Sequence, residues 1–281
     1  DVITWLIEPI SLAFMQRGLA AGVLAGIACA VLSAFVVWRG MAFVGDAMAH
    51  TILPGVVIAF LRGANLFVGA LIAAILTALG IGWFSRDREV REDTAIGVMF
   101  SGFFALGILL LSRVRSYQDL THILFGDILG VSSTDLWIIA GVTVLVIAAV
   151  ALFYKELLVT SFDPGHAVAI GLSPELVRYG LLILLALTVV AAIQAVGVVM
   201  VIALLVTPAA TASLLARQLP RIMLLGAVFA VISAVVGLYA SYYANVASGA
   251  AIVLTLTVLF LLAFLFAPRR GLVWRAVRGE A

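Results

Sequence analysis

The sequence predicts an all-α fold, a polytopic transmembrane helical bundle of about nine spans (eight as the alternative count) in a single domain over residues 1–281. Three observations predict it. The 281 residues are 65% hydrophobic, with a mean hydropathy of +1.28. Charged residues make up 11% of the chain, against about a quarter in soluble domains, so the protein cannot cover itself with a wetted surface and a bilayer is the solvent that fits. Apolar runs long enough to cross about 30 Å of hydrocarbon recur along the whole chain.

Residues 1–14 read as a short interfacial segment. The spans follow at 18–37, 42–61, 64–84, 94–112, 136–154, 179–195, 196–214, 222–243 and 249–267. The stretch 179–214 is long enough for two crossings, with a hinge near Gln194 to Gly197. Gly and Ala are abundant, as suits helices that approach closely in lipid. The single cysteine, Cys29, lies in an apolar run and reads as a small packing residue with no disulfide partner.

Lys and Arg set the orientation. With the N-terminus outside, the inner loops hold Arg39, Arg86, Arg88, Arg91, Lys155, Arg178, Arg217, Arg221, Arg269, Arg270, Arg275 and Arg278. The outer side holds only Arg17, Arg62, Arg113 and Arg115. The opposite orientation inverts this bias, so the chain reads as N-out and C-in.

Two connections stand out. The outer loop 113–135 is semi-apolar and is expected to form a short helix at the outer mouth. In the inner segment 155–178, Asp163 before Pro164 reads as an N-cap followed by a first helical residue, and Gly171 as a C-terminal stop. That leaves a short capped helix over 164–171, a natural lever for a cytosolic partner or an ordinary linker. Ser173 and Pro174 start the next span in the same way.

Of the acidic residues, only Asp46 lies well inside a predicted span, and His50 follows four residues later in GDAMAHTILPG (45–55). That spacing puts both side chains on one helical face, where a carboxylate and an imidazole form a two-point chelate for a divalent cation or a proton relay. A charge inside a membrane costs about 2.5–3.5 kcal/mol on insertion scales, so such residues are functional by default. A purely structural Asp46–His50 hydrogen bond is the plainer alternative. Pro54 has no N–H, so it is expected to break the helix and free the His50 carbonyl as a third donor. Thr207-Pro208 marks a second expected helix break. His122 and Asp127, in the outer loop, are weaker candidates for meeting an incoming cation.

Several activities are excluded. The only lysine, Lys155, stands between Tyr154 and Glu156, so the chain has no phosphate-binding loop. It has no His-Glu-x-x-His and no Gly-x-Ser-x-Gly. No enzyme reading has a site, and the scattered basic residues do not suggest nucleic acid.

The residues 45–55 resemble the Gly-Asp-Ala-x-x-His-x-x-x-Pro-Gly signature of permeases in the metal-cation (manganese, zinc, iron chelate) ABC importer family. DTAIGVMFSGFFALG (93–107), LFGDILGVSSTDLW (124–137), SFDPGHAVAIGL (161–172) and VGVVMVIALLVTPAATASLLA (196–216) resemble further blocks of that family, in order, over about residues 14–267. The resemblance implies a type II ABC importer-like fold in a bacterial inner (plasma) membrane, formed by two copies of the chain. It implies a separate cytosolic ATP-hydrolysing subunit and an extracytoplasmic metal-binding protein as partners. It also implies that Asp46 and His50 line the path of a transported Mn²⁺ or Zn²⁺, with no cofactor held permanently. Asp163, Pro164, His166, Ala167 and Gly171 would belong to the segment seated in the ATPase. Ala49 stands where many relatives carry Ser, and Pro54-Gly55 leans toward the manganese branch. Two rival readings are an ABC permease for iron chelates or vitamin B12, whose wide pores lack an acid–His pair, and an ion-driven secondary transporter, which calls for a half-repeat that the sequence does not display.

Overall fold

The computed structural model describes residues 8–86, 89–113 and 128–267, and every regular element among them is helical. We label the helices α1 (Ala13–Trp38), α2 (Val44–Thr51), α3 (Leu53–Leu61), α4 (Leu66–Phe84), α5 (Glu92–Leu111), α6 (Ser133–Leu152), α7 (Tyr154–Phe162), α8 (Pro164–Ala169), α9 (Pro174–Val196), α10 (Val198–Leu215), α11 (Leu219–Ala244) and α12 (Ser248–Phe266). With α2 and α3 counted as one broken span, nine helical segments among the described residues are long and apolar enough to cross a membrane. All nine expected spans are present, so the alternative count of eight is not needed.

The boundaries move where hydropathy is blind to the backbone. α1 begins at Ala13 rather than 18, because helical hydrogen bonding tolerates Gln16 and Arg17 in its first turns. α9 begins at Pro174 rather than 179, where the Ser173 hydroxyl caps it by accepting from the Leu176 amide at 3.4 Å. Of the expected interfacial segment, residues 8–11 form one helical turn and the extended Leu12 separates it from α1. Residues 1–7 lie outside the described residues.

α1 is the central post, packed against α6, α9, α10 and α11. Gly18, Gly22 and Gly26 recur every fourth residue along it. A Cβ at Gly18 would stand 2.9 Å from the Ile128 carbonyl oxygen, and one at Gly26 would stand 3.2 Å from Ala230 Cβ. Small residues are what let helices meet this closely where lipid supplies no hydrophobic drive. Cys29 is fully buried on the same helix, in the packing role its surroundings suggest.

Among the described residues, every buried polar side chain is Ser or Thr. Most of them return their hydroxyl to a carbonyl one turn back, as Thr77 does to Ala73 at 2.9 Å and Thr188 to Leu184 at 2.7 Å. Thr143 on α6 also donates to the Leu24 carbonyl of α1 at 3.1 Å, which ties two spans together. A buried hydroxyl in hydrocarbon must find such a partner.

The expected hinge of the long apolar stretch is a single residue. Gly197 has φ +87° and ψ 163°, closing α9 and opening α10. That backbone region is accessible to glycine and strained for any other residue.

Candidate metal site and inner lever

Asp46 and His50 sit in α2, the first half of the broken second span. Asp46 Oδ1 and His50 Nε2 are 3.3 Å apart, and each side chain is 38% exposed. The rest of α2 is nearly all buried, so the pair looks out from the one open face of that helix. Four-residue spacing on a helix dictates this meeting.

The break between α2 and α3 falls at Ile52, with Pro54 in the first turn of α3. A proline suits that position, because a first-turn amide has no acceptor within its own helix. The His50 carbonyl does lose its ordinary partner, but it is not free as expected. The Ile52 amide turns to it across the kink. Beyond the kink the ladder resumes with Val56 N–H to the Ile52 carbonyl at 3.0 Å.

The expected break at Pro208 is also corrected. α10 runs without interruption from Val198 to Leu215, with Pro208 inside it. The next amide, Ala209 N–H, donates to Ser33 Oγ of α1 at 3.1 Å. Prolines are tolerated inside membrane helices packed against such neighbours.

Two aromatic rings that the sequence reading passed over complete the surroundings of His50. Phe100 and Phe104, one turn apart on α5, have ring centroids 5.8 and 5.4 Å from the imidazole. They lie nearly parallel, 5.6 Å apart at 9°. His50 therefore has two aromatic rings beside its imidazole and a carboxylate oxygen 3.3 Å from its Nε2. Nothing in MFSGFFALG beyond their four-residue spacing marks them out.

One chain brings two donor side chains to this face. Among the described residues, no group of three or more His, Cys, Asp or Glu is placed to hold a metal ion. His122 and Asp127 lie outside the described residues.

A second group of predicted residues forms α8, on its own short helix. Asp163 Oδ1 accepts from the His166 amide at 2.8 Å, and Pro164 opens the helix. Gly171 N–H returns to the Val168 carbonyl at 3.0 Å and Leu172 N–H to the Ala167 carbonyl at 2.9 Å. This paired closure requires the left-handed φ of +84° found at Gly171. Ala167 is the one buried residue of α8; His166 is exposed. Around it, Phe162, Val168, Ile170 and Leu176 are exposed by 50 to 73%. A single-residue foothold with an apolar rim suits an element that docks into something else.

Charged residues unforeseen as a group gather where α1, α4, α5, α7 and α9 end. Arg39, the C-cap of α1, donates from Nε to Ser161 Oγ at 3.1 Å and from Nη2 to Thr160 Oγ1 at 3.4 Å. Burial lowers its guanidinium pKa, Glu92 opposes that shift, and Arg178 adds to it. Arg178 donates to the Ser85 and Gly82 carbonyls, both at 2.9 Å.

The comparisons with known proteins agree on one family. The ABC 3 transport family model matches residues 11–267. The manganese transport system membrane protein MntC of Listeria monocytogenes is 48% identical over 265 residues, 94% of this chain and 95% of that protein. The chelated iron transport system membrane protein YfeD of Yersinia pestis is 41% identical over 263 residues, 92% of this chain and 87% of that protein. Among solved structures, PsaBC from Streptococcus pneumoniae in complex with Fab aligns with a TM-score of 0.85 at 37% identity, covering 99% of this chain and 100% of that one.

Proposed function

Because the chain belongs to the ABC 3 transport family, we propose that this metal ABC permease forms the pore of an ATP-driven importer of a divalent transition metal, Mn²⁺ or Zn²⁺. It is a multi-pass protein of the bacterial plasma membrane. The carrying observation is the Asp46–His50 pair, one helical turn apart and half exposed on an otherwise buried helix. A cation leaving water must replace its hydration with charge and donor atoms, and this pair supplies one of each kind.

Two donors are fewer than the four to six that such ions take. A second copy of the chain, placing its own pair opposite, supplies the balance together with water. Donor count is what supports the homodimer. Mn²⁺ accepts oxygen and nitrogen donors with water in the remaining positions, and manganese is named in the relatives' own descriptions. Iron is named in others.

The chain itself is not an enzyme in this reading. Energy comes from a separate cytosolic ATP-binding subunit seated on α8 and its apolar rim. The ion comes from an extracytoplasmic metal-binding protein. The testing experiment is ATP hydrolysis and ion uptake by the assembled complex in proteoliposomes, over a panel of Mn²⁺, Zn²⁺, Fe²⁺ and Mg²⁺. ATP-dependent uptake stimulated by Mn²⁺ or Zn²⁺ is expected. Uptake by the permease alone under an ion gradient would replace this reading with secondary transport.

A further inference from the structure

Glu92 opens α5 and lies in the field of both Arg39 and Arg178. Yet both arginines direct hydrogen bonds elsewhere, Arg39 to the hydroxyls of α7 and Arg178 to the carbonyls at the end of α4. Among the described residues three side-chain atoms are themselves buried without a hydrogen-bond partner: Glu156 Oε2 on α7 and, as an acceptor and a donor of opposite charge, Glu92 Oε1 and Arg178 Nε. Buried polar groups are nearly always paired. A complementary orphan donor and acceptor in one cluster is what a contact leaves behind when it belongs to another conformation.

The cluster also sits on a continuous mechanical path. α8 follows α7, whose last residue, Phe162, packs against Trp38 with ring centroids 4.8 Å apart at a tilt of 52°. The preceding Ser161 and Thr160 hold Arg39. Arg39 acts on Glu92 through its charge. Along α5, about two and three turns beyond Glu92, Phe100 and Phe104 press on the His50 ring. A shift of Glu92 along this path moves the rings that orient the imidazole.

We propose that Glu92 is a positioning residue that transmits movement of the α7–α8 elbow to the metal pair, its Oε1 taking the Arg178 Nε–H in the alternate state and carrying α5, Phe100 and Phe104 with it. The inference rests on the transporter reading and names the connection between its two ends. Glu92 touches no ion; it acts through His50.

The test uses the permease assembled with its ATPase subunit in proteoliposomes, with the extracytoplasmic metal-binding protein supplied, comparing the wild type with Glu92→Gln and Glu92→Asp. Four quantities are read: Mn²⁺ affinity of the permease, ATP hydrolysis, Mn²⁺ taken up per ATP, and thermal stability. Glu92→Gln should leave affinity and hydrolysis close to wild type while uptake per ATP falls about ten-fold, the scale of one charge-assisted hydrogen bond. Glu92→Asp, which keeps the charge, should recover part of the loss. Unchanged uptake per ATP in Glu92→Gln overturns the inference alone. So does a parallel fall of hydrolysis, affinity and thermal stability, which marks a merely structural residue. A wild-type complex that takes up no metal with ATP overturns the transporter reading, and the inference with it.

Discussion

Ser33 Oγ on α1 accepts the amide of Ala209 on α10 at 3.1 Å, tying α1 to α10 beside Pro208, which α10 carries inside a continuous helix. Both partners are fully buried. Ser33→Ala removes that acceptor. In water-soluble proteins such a loss costs about 1–3 kcal/mol, but interhelical hydrogen bonds in membranes average nearer 0.6. A loss of about 1 kcal/mol is expected, read as a lowered melting temperature in detergent. Ser33→Thr keeps the acceptor and should fall less far.

A second stability prediction concerns the two halves of the α3–α4 contact. Gly55 and Gly69 meet backbone to backbone, and a Cβ on Gly55 would strike the Gly69 carbonyl oxygen and come within 2.7 Å of Ala73 Cβ. Neither neighbour is the end of a flexible chain, so the helices themselves must separate. Gly55→Ala should cost at least the 1–3 kcal/mol typical of overpacking, roughly. Gly141→Ala on α6 meets nothing within 4 Å and should be neutral or stabilising by up to about 1 kcal/mol from helix propensity. Melting curves of both variants check the contrast.

Those glycines show which parts of the molecule its sequence made legible. The spans were readable because lipid demands long apolar runs and leaves charge for the ends. How the spans pack was not, because in hydrocarbon the inward and outward faces of a helix are equally apolar and the periodic signal of a soluble helix is lost. Gly22 is wedged in the core while Gly97 faces open space, and nothing in their local sequence tells them apart. Asp46 and His50 were legible for the opposite reason, since polar groups deep in a span are too costly to be incidental. Phe100 and Phe104 escaped notice because a phenylalanine in a membrane helix carries no such signal. The charged group of Arg39, Glu92 and Arg178 escaped it because its members come from three distant segments, joined only by the fold.

The charge bias of the loops predicts sidedness directly. Native Cys29 is fully buried and should not react with an impermeant maleimide. Glu89→Cys should label only in inverted vesicles, and Ala64→Cys, exposed between α3 and α4, only in right-side-out cells or spheroplasts. Labelling of Glu89→Cys from outside would reverse the orientation and move α8 away from any cytosolic subunit.

At Gly171 conformation can be separated from bulk. Its φ is +84°, yet a Cβ there meets nothing within 4 Å. Substitution therefore strains the backbone without a clash, by about 1–2 kcal/mol for an ordinary residue. Gly171→Val should misdirect α8 at its exit while the bundle stays assembled, giving ATP hydrolysis with little metal uptake. Gly171→Asn, which tolerates the left-handed region better, should retain most uptake. Equal, normal uptake by both variants would detach α8 from the transport cycle.

The last prediction addresses the metal pair. Asp46→Asn keeps the size of the side chain and its ability to bond His50, now 3.3 Å away, but removes the negative charge. His50→Ala removes the imidazole and leaves Phe100 and Phe104 facing a void. If the pair were structural, the amide would preserve it and transport would survive Asp46→Asn. If the pair carries the ion, charge is the essential property, because a dication entering a low-dielectric path has lost much of its hydration. Asp46→Asn should then abolish uptake of Mn²⁺ and Zn²⁺ alike in a complex that still assembles and hydrolyses ATP. His50→Ala should discriminate, suppressing Zn²⁺ more than Mn²⁺, since zinc depends more on nitrogen donors while manganese accepts oxygen and water in their place. Uptake assays of both ions in both variants, with assembly checked by size-exclusion chromatography, decide between the two accounts. Near-normal Mn²⁺ uptake by a folded Asp46→Asn complex would leave packing as the role of the pair.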